Sequence, residues 1–353
     1  MRIIIALLTT FLLVVIQSNV YAQKKFELSD YARFTGISDP QISPDGKSIV
    51  IITSRPDYVQ NRFNAELVLV DVATGTKRIL TQDRFSVSSP RWSPNGNQLA
   101  FISRTGQGKD VTNQLFLLSM QGGEAKQITK SPKGVQHFAW SPNATDIAYA
   151  ALNEPKNKTD IEKGYTSFEI TNNDMFVGSQ PLPAHIWIVN TTTAENKRLT
   201  DGDWSLPLVI PPSAPSSPFS WSPDGKNILF VKAASAYSGD GQKRSIQILN
   251  VADGSYKPLT DRTKFEGYPN FSPDGSKISY WYKKGNINGS INELWVANAS
   301  GGAGKSISEK LNRDLYLSAW MPGNNGFLIG GHNDNKTSIW RMDLDGNNSN
   351  TIK

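Results

Sequence analysis

The chain has 353 residues, a formal net charge of +6 and no cysteine. The absence of cysteine excludes a disulfide framework, a thiolate nucleophile and a thiolate metal site. Lys and Arg are scattered among Asp and Glu without a run, which argues against a nucleic-acid partner.

Met1-Arg2 opens an apolar stretch from Ile3 to Ile16 relieved by Thr9 and Thr10, followed by Val20-Tyr21-Ala22 and the polar Gln23-Lys24-Lys25. A membrane span needs roughly 20 apolar residues, so 1–22 read better as a cleaved secretory signal than as a retained anchor. The protein is therefore expected to be periplasmic or secreted, with no membrane contact after cleavage. Residues 23–40 read as a lead-in segment and 41–353 as one repeated domain.

A short phrase then returns along the chain. It stands at Ser43-Pro44-Asp45-Gly46, Ser93-Pro94-Asn95-Gly96, Ser141-Pro142-Asn143, Ser222-Pro223-Asp224-Gly225, Ser272-Pro273-Asp274-Gly275 and, worn, at Met321-Pro322-Gly323. The spacings are 50, 48, 81, 50 and 49 residues, so one module carries an insertion, at about 152–183. Pro sets φ for a first turn position, Asp or Asn tolerates the next, and Gly supplies positive φ, so each phrase predicts a hairpin. An aromatic usually precedes it, at Trp92, Trp140, Trp221, Phe271 and Trp320. After it comes an apolar strand such as 98–102 or 227–231, then a third strand such as 114–118 or 293–296. A fourth ends near an Ile-Leu-Thr pattern, as at Ile79-Leu80-Thr81.

Four short strands per module is the size of a propeller blade. The fold class expected is all-β, a β-propeller of four-stranded blades. A solenoid is the rival, but its repeats are mostly helical or much shorter, and helical periodicity is nearly absent here. Six blades are recognisable. The sixth reaches its third strand at 338–342, turns at Asp345-Gly346 and is expected to stop short of a fourth, as if cut from a seven- or eight-bladed propeller.

The phrase set, with Gly122-Gly123-Glu124-Ala125-Lys126-Gln127-Ile128-Thr129, resembles the propeller repeats shared by TolB and the prolyl oligopeptidase family. TolB-like proteins carry an α/β domain ahead of the propeller, and the first phrase at residue 43 leaves too little chain for one. The openings 28–34 and 37–47, the insertion's 168–175 and 183–189, and Asp201-Gly202-Asp203-Trp204 resemble secreted dipeptidyl aminopeptidases and acylaminoacyl peptidases. That resemblance implies a propeller that gates access to a C-terminal α/β-hydrolase domain and helps to bind peptide substrates. The hydrolase nucleophile would lie in a G-x-S-x-G elbow, and no window of this chain contains one. The chain alone is expected to be inactive, with no catalytic residue of its own. The alternative is a free-standing TolB-like propeller that binds a protein or peptide partner.

The insertion is the main candidate for function, because a long excursion from a blade must project from a propeller face. Some dipeptidyl peptidases capture the substrate amine with an adjacent glutamate pair, which this chain lacks. Glu162, Glu169 and Asp174 are the nearest carboxylates and would attract an ammonium group if desolvated, or else are solvated loop charges. His137, His185 and His332 read as structural or surface residues, and no pair has metal-ligand spacing. Gly301 to Ser306 looks like a phosphate loop but has Ala299 where the motif needs Gly, and reads as a blade turn. No cofactor and no metal are expected.

Overall fold

The recurring phrase is a turn held by its own side chains. In the first copy the Ser43 hydroxyl donates to Asp45 Oδ1 (2.6 Å) and accepts the Ser48 backbone N–H (2.9 Å), while Asp45 Oδ1 also accepts the Lys47 N–H. The same set recurs with Ser93 and Asn95, Ser141 and Asn143, Ser222 and Asp224, and Ser272 and Asp274. The serine hydroxyl, ahead of backbone N–H groups, holds the Asp45, Asp224 and Asp274 carboxyls below the usual range. What these carboxylates contribute is therefore lost only as pH falls through those depressed values. Gly46, Gly96, Gly225 and Gly275 close the turn at φ between 71° and 74°, a region that penalises any Cβ. The third copy puts Ala144 there at φ 61°.

The computed structural model describes residues 25–352 except 83, 85, 107–110, 170–179, 208–218, 238–239 and 347–348; residues 1–22, expected to be a signal segment, lie outside them. Each turn joins the first two strands of a four-stranded antiparallel sheet whose strands follow chain order. The six sheets are blades one to six, at 36–79, 87–127, 135–198, 220–258, 267–306 and 315–352. The sixth blade corrects one expectation, because Ser349–Ile352 pairs with Lys336–Met342 as a fourth strand. Gly346 reverses the chain at φ 71°, bonded back to Asp343, so the few remaining residues suffice for that strand. Gly301 and Gly302 form a blade turn, as expected, leading into Lys305–Ser306.

Both faces of a blade are apolar, since residues alternate along each strand. In blade two, Leu99 and Phe101 pack towards blade one beside Val50 and Leu67, while Ala100, Ile102 and Leu115 pack towards blade three beside Ile147 and Tyr149. Five such clusters fill the five consecutive junctions. Full burial of each Leu, Ile or Phe in them contributes about 1.5–3 kcal/mol. No cluster joins blade six to blade one among the described residues. Their outward faces leave Ile42 and Ile79, and Leu317, Leu328 and Ile339, between 39% and 63% exposed.

First strands of neighbouring blades touch, which places them innermost around the axis. There the aromatic that precedes the phrase bonds between blades in blades two, three and four. The indole Nε1 of Trp92 donates to the Gln41 carbonyl, that of Trp140 to Arg91 and that of Trp221 to Ala139, each at 3.1 Å. Every acceptor lies two residues before the phrase of the preceding blade. Blade five, with Phe271 instead, donates its backbone N–H to the Ser220 hydroxyl at the same register position.

A second latch ties the outer strands. Thr81, Thr129, Thr200 and Ser308 each accept a third-strand N–H, from Leu67, Leu115, Ile186 and Leu294. In blade four Thr260 instead donates to Glu266 (2.7 Å), which accepts the Ile246 N–H (2.8 Å). Glu266 is fully buried and its second oxygen has no hydrogen-bond partner among the described residues. Burial pushes this carboxyl up to about 7 from an ordinary value of 4.5, against the smaller opposing pull of its hydrogen bonds.

Three measurements check this architecture. Trp140→Phe keeps the ring but removes the donor, and should lower unfolding free energy by about 1 kcal/mol in chemical denaturation. Ala144→Gly relieves a left-handed alanine and should raise it by about 1 kcal/mol. Because the folded Glu266 holds its proton more tightly than the unfolded chain, stability should fall as pH rises from about 4.5 to about 7. Glu266→Gln should remove that component, roughly 3 kcal/mol, and unfolding titrations of both proteins across this range would show it.

Candidate functional site at the neck of the blade three insertion

The second strand of blade three leaves its sheet at Leu152, which pairs with Ala184 where the chain returns. Asn153 N–H donates to the Pro183 carbonyl (2.8 Å), so the excursion has a closed neck. Its first part carries a short helix, Lys158–Glu162. Two clefts flank the neck and share Asn153 and Glu154. One, of 830 Å³, lies between the outer strand of blade two, near Gln127 and Lys130, and Tyr149, Trp187 and Arg198 of blade three. The other, of 750 Å³, is bounded by Lys156, Pro183, Asp201, Asp203 and Tyr237.

Arg198 organises this region. Its guanidinium donates to Asn153 Oδ1 (2.9 Å), Asp201 Oδ1 (2.7 Å) and the Thr200 carbonyl (2.7 Å), with its carbon 5.7 Å from the Trp187 ring centre. The neck is thereby fixed to the loop after the fourth strand. The Gly202 N–H, and then the Arg198 charge, hold the Asp201 carboxyl below the usual range. Glu154 pairs with Lys158 at 2.7 Å and Lys156 with Asp203 at 3.4 Å, both at the surface. Exposed pairs of this kind contribute at most about 1 kcal/mol. A ligand ammonium can therefore exchange for either lysine at little cost.

His185 lies fully buried beneath this loop, with ring nitrogens 3.3 Å from Thr200 Oγ1 and 3.1 Å from the Gly202 carbonyl. Burial, aided by the Arg198 charge, lowers it to about 4, so it is neutral at pH 7 and braces the loop. On the axis, Arg91 bonds both Asp39 oxygens (3.0 and 3.1 Å), joining blades one and two. His137 is lowered to about 4 by burial and then by Arg91. Among the described residues no group of His, Asp and Glu could hold a metal ion, and no helix is long and apolar enough to cross a membrane.

Of the carboxylates singled out in the sequence, Glu162 ends the short helix and Glu169 follows it, both exposed and outside the two clefts. Asp174 lies outside the described residues. The carboxylates that do reach the clefts are Glu154, Asp201 and Asp203, which sequence reasoning missed as site residues. Asp201 and Asp203 are forty-odd positions from Glu154, and only the pairing of Leu152 with Ala184 brings them together. The available signal was the Asp-Gly-Asp-Trp segment itself.

A family model for the dipeptidyl peptidase IV N-terminal region matches residues 43–138. Dipeptidyl-peptidase 5 of Porphyromonas gingivalis is 25% identical over 331 residues, covering 87% of this chain and 46% of that protein. The Tol-Pal system protein TolB of Francisella tularensis is 27% identical over 228 residues, 61% of this chain and 50% of TolB. An acylaminoacyl peptidase from Pyrococcus horikoshii has the same fold, with a TM-score of 0.64 and 14% identity over 91% of this chain and 46% of that one. The chain thus spans about half the length of the curated relatives it matches. It is a propeller related to those of the prolyl oligopeptidase family of peptidases and of TolB.

Proposed function

We propose that this propeller is the non-catalytic gating and substrate-binding part of an exported serine peptidase of the dipeptidyl or acylaminoacyl type. The observation that carries the reading is the neck of the blade three insertion. A closed excursion there sets Glu154, Asp201 and Asp203 around two clefts large enough for a short peptide. An α/β-hydrolase domain would supply the nucleophile, for which this chain has no elbow. The carboxylates would attract the substrate's free amine, with Glu162, Glu169 and Asp174 as further acidic groups on the excursion. The open apolar faces of blades one and six suit a further blade between them. Residues 1–22 would direct export to the periplasm or beyond.

Aminoacyl and dipeptidyl reporter substrates should show no turnover with this chain alone. In a protein that joins it to its hydrolase, Glu154→Gln with Asp203→Asn should raise KM for reporters with a free amine roughly tenfold and leave acetylated reporters unchanged. Turnover by the chain alone, blocked by a serine-directed inhibitor, would overturn the division of labour. The same holds if the downstream gene encodes no nucleophile elbow, an outcome that favours a free-standing, TolB-like binding propeller.

A further inference from the structure

A third cleft lies on blade four, beside Trp204 and next to the second of the neck clefts but sharing no residue with it. It encloses 660 Å³, and the side chains that bound it include Lys232, Lys243 and Lys264 but no carboxylate. Trp204 and Tyr256 line it, and with the buried Phe230 behind them they form an aromatic cluster at ring-centre distances of 5.5–5.7 Å. The Lys232 ammonium sits 5.5 Å from the Trp204 ring centre and 5.2 Å from that of Tyr256. It is thus held by two ring faces rather than by an anion. Lys264 is exposed and has no ion pair among the described residues, while Lys243 leans on Asp240 at 2.8 Å. Gln247, nearly buried, donates to the Ser245 hydroxyl (2.9 Å), and both border the cleft beside Thr263.

Lys232 and Lys264 line one concave surface with no ion pair among the described residues, and a cation so placed gains most from an anion that neutralises it. The aromatic edge suits the apolar face of a ring or a folded chain. Amide and hydroxyl groups suit the ligand's neutral polar atoms. We infer that this cleft binds a small ligand carrying at least two carboxylates, of the size of a disaccharide or dipeptide. Lys232 and Lys264 receive the carboxylates and Tyr256 packs against the ligand body. The site does not depend on the peptidase reading, since it shares no residue with the insertion neck.

Isothermal titration of the full chain tests it with four probes: digalacturonate, N-acetyl-Glu-Glu, neutral cellobiose and inorganic phosphate. Binding of either carboxylate probe, weakening steeply with added salt, is expected, and the tighter of the two identifies the ligand as acidic sugar or acidic peptide. Lys264→Gln, at an exposed loop position without a structural partner, should weaken that binding roughly tenfold, and Lys232→Gln likewise. An unchanged unfolding midpoint for Lys264→Gln separates lost binding from lost folding. The inference is overturned if neither carboxylate probe binds, if cellobiose or phosphate binds equally well, or if both variants bind like the wild type.

Discussion

A four-stranded sheet of about forty residues with apolar side chains on both faces cannot bury either face alone, and the rest of this structure follows from that constraint. Each blade has to be covered twice, once by the module before it and once by the module after. The alternation in 98–102 shows how directly the chain encodes this, because Leu99 and Phe101 serve one junction and Ala100 and Ile102 the other. The requirement also explains why Leu317, Leu328 and Ile339 on blade six and Ile42 and Ile79 on blade one stand out as exposed.

Hydrophobic burial alone does not set how the blades align, since it has no direction. Alignment comes from the hydrogen bonds at the inner strands. Trp92, Trp140 and Trp221 reach a carbonyl at the same register position one blade back, so blades two, three and four each measure their position from the neighbour's turn. The Ser-Pro-Asp-Gly turn is rigid enough to serve as that reference because its serine and carboxylate satisfy the backbone groups the reversal leaves unpaired. The outer strands are fastened separately by the Thr and Ser latches. Blade four departs from them by using the buried carboxylate of Glu266, rather than a hydroxyl, to accept its third-strand N–H.

The insertion works within this frame without disturbing it. It leaves and re-enters between paired residues Leu152 and Ala184, so the sheet of blade three stays intact while the excursion gains a fixed base. Arg198 then joins the base to the following loop, and His185, kept neutral by burial, supports that loop from beneath. Rigid blades with function on a connecting segment are the usual division in folds of this kind.

The sequence by itself determined the module, its turn and its strand order. Those depend on local chemistry: a proline, an acidic or amide side chain and a glycine in succession, then alternating residues, and each can be read within ten positions. It misjudged the sixth blade, because a four-residue strand of Ser, Asn, Thr and Ile after the turn at Asp345-Gly346 carries too little pattern to register. Trp92, Trp140 and Trp221 end the first strands of their own blades, and only the tertiary structure shows their indoles donating to the neighbouring blade. Only the tertiary structure decided which carboxylates meet. Glu162 and Glu169 lie within the insertion and remain in solvent, while Glu154, Asp201 and Asp203 border the clefts because strand pairing folds distant positions together. Proximity along a chain predicts a turn well and a cleft poorly, since a cleft is assembled from the ends of different strands.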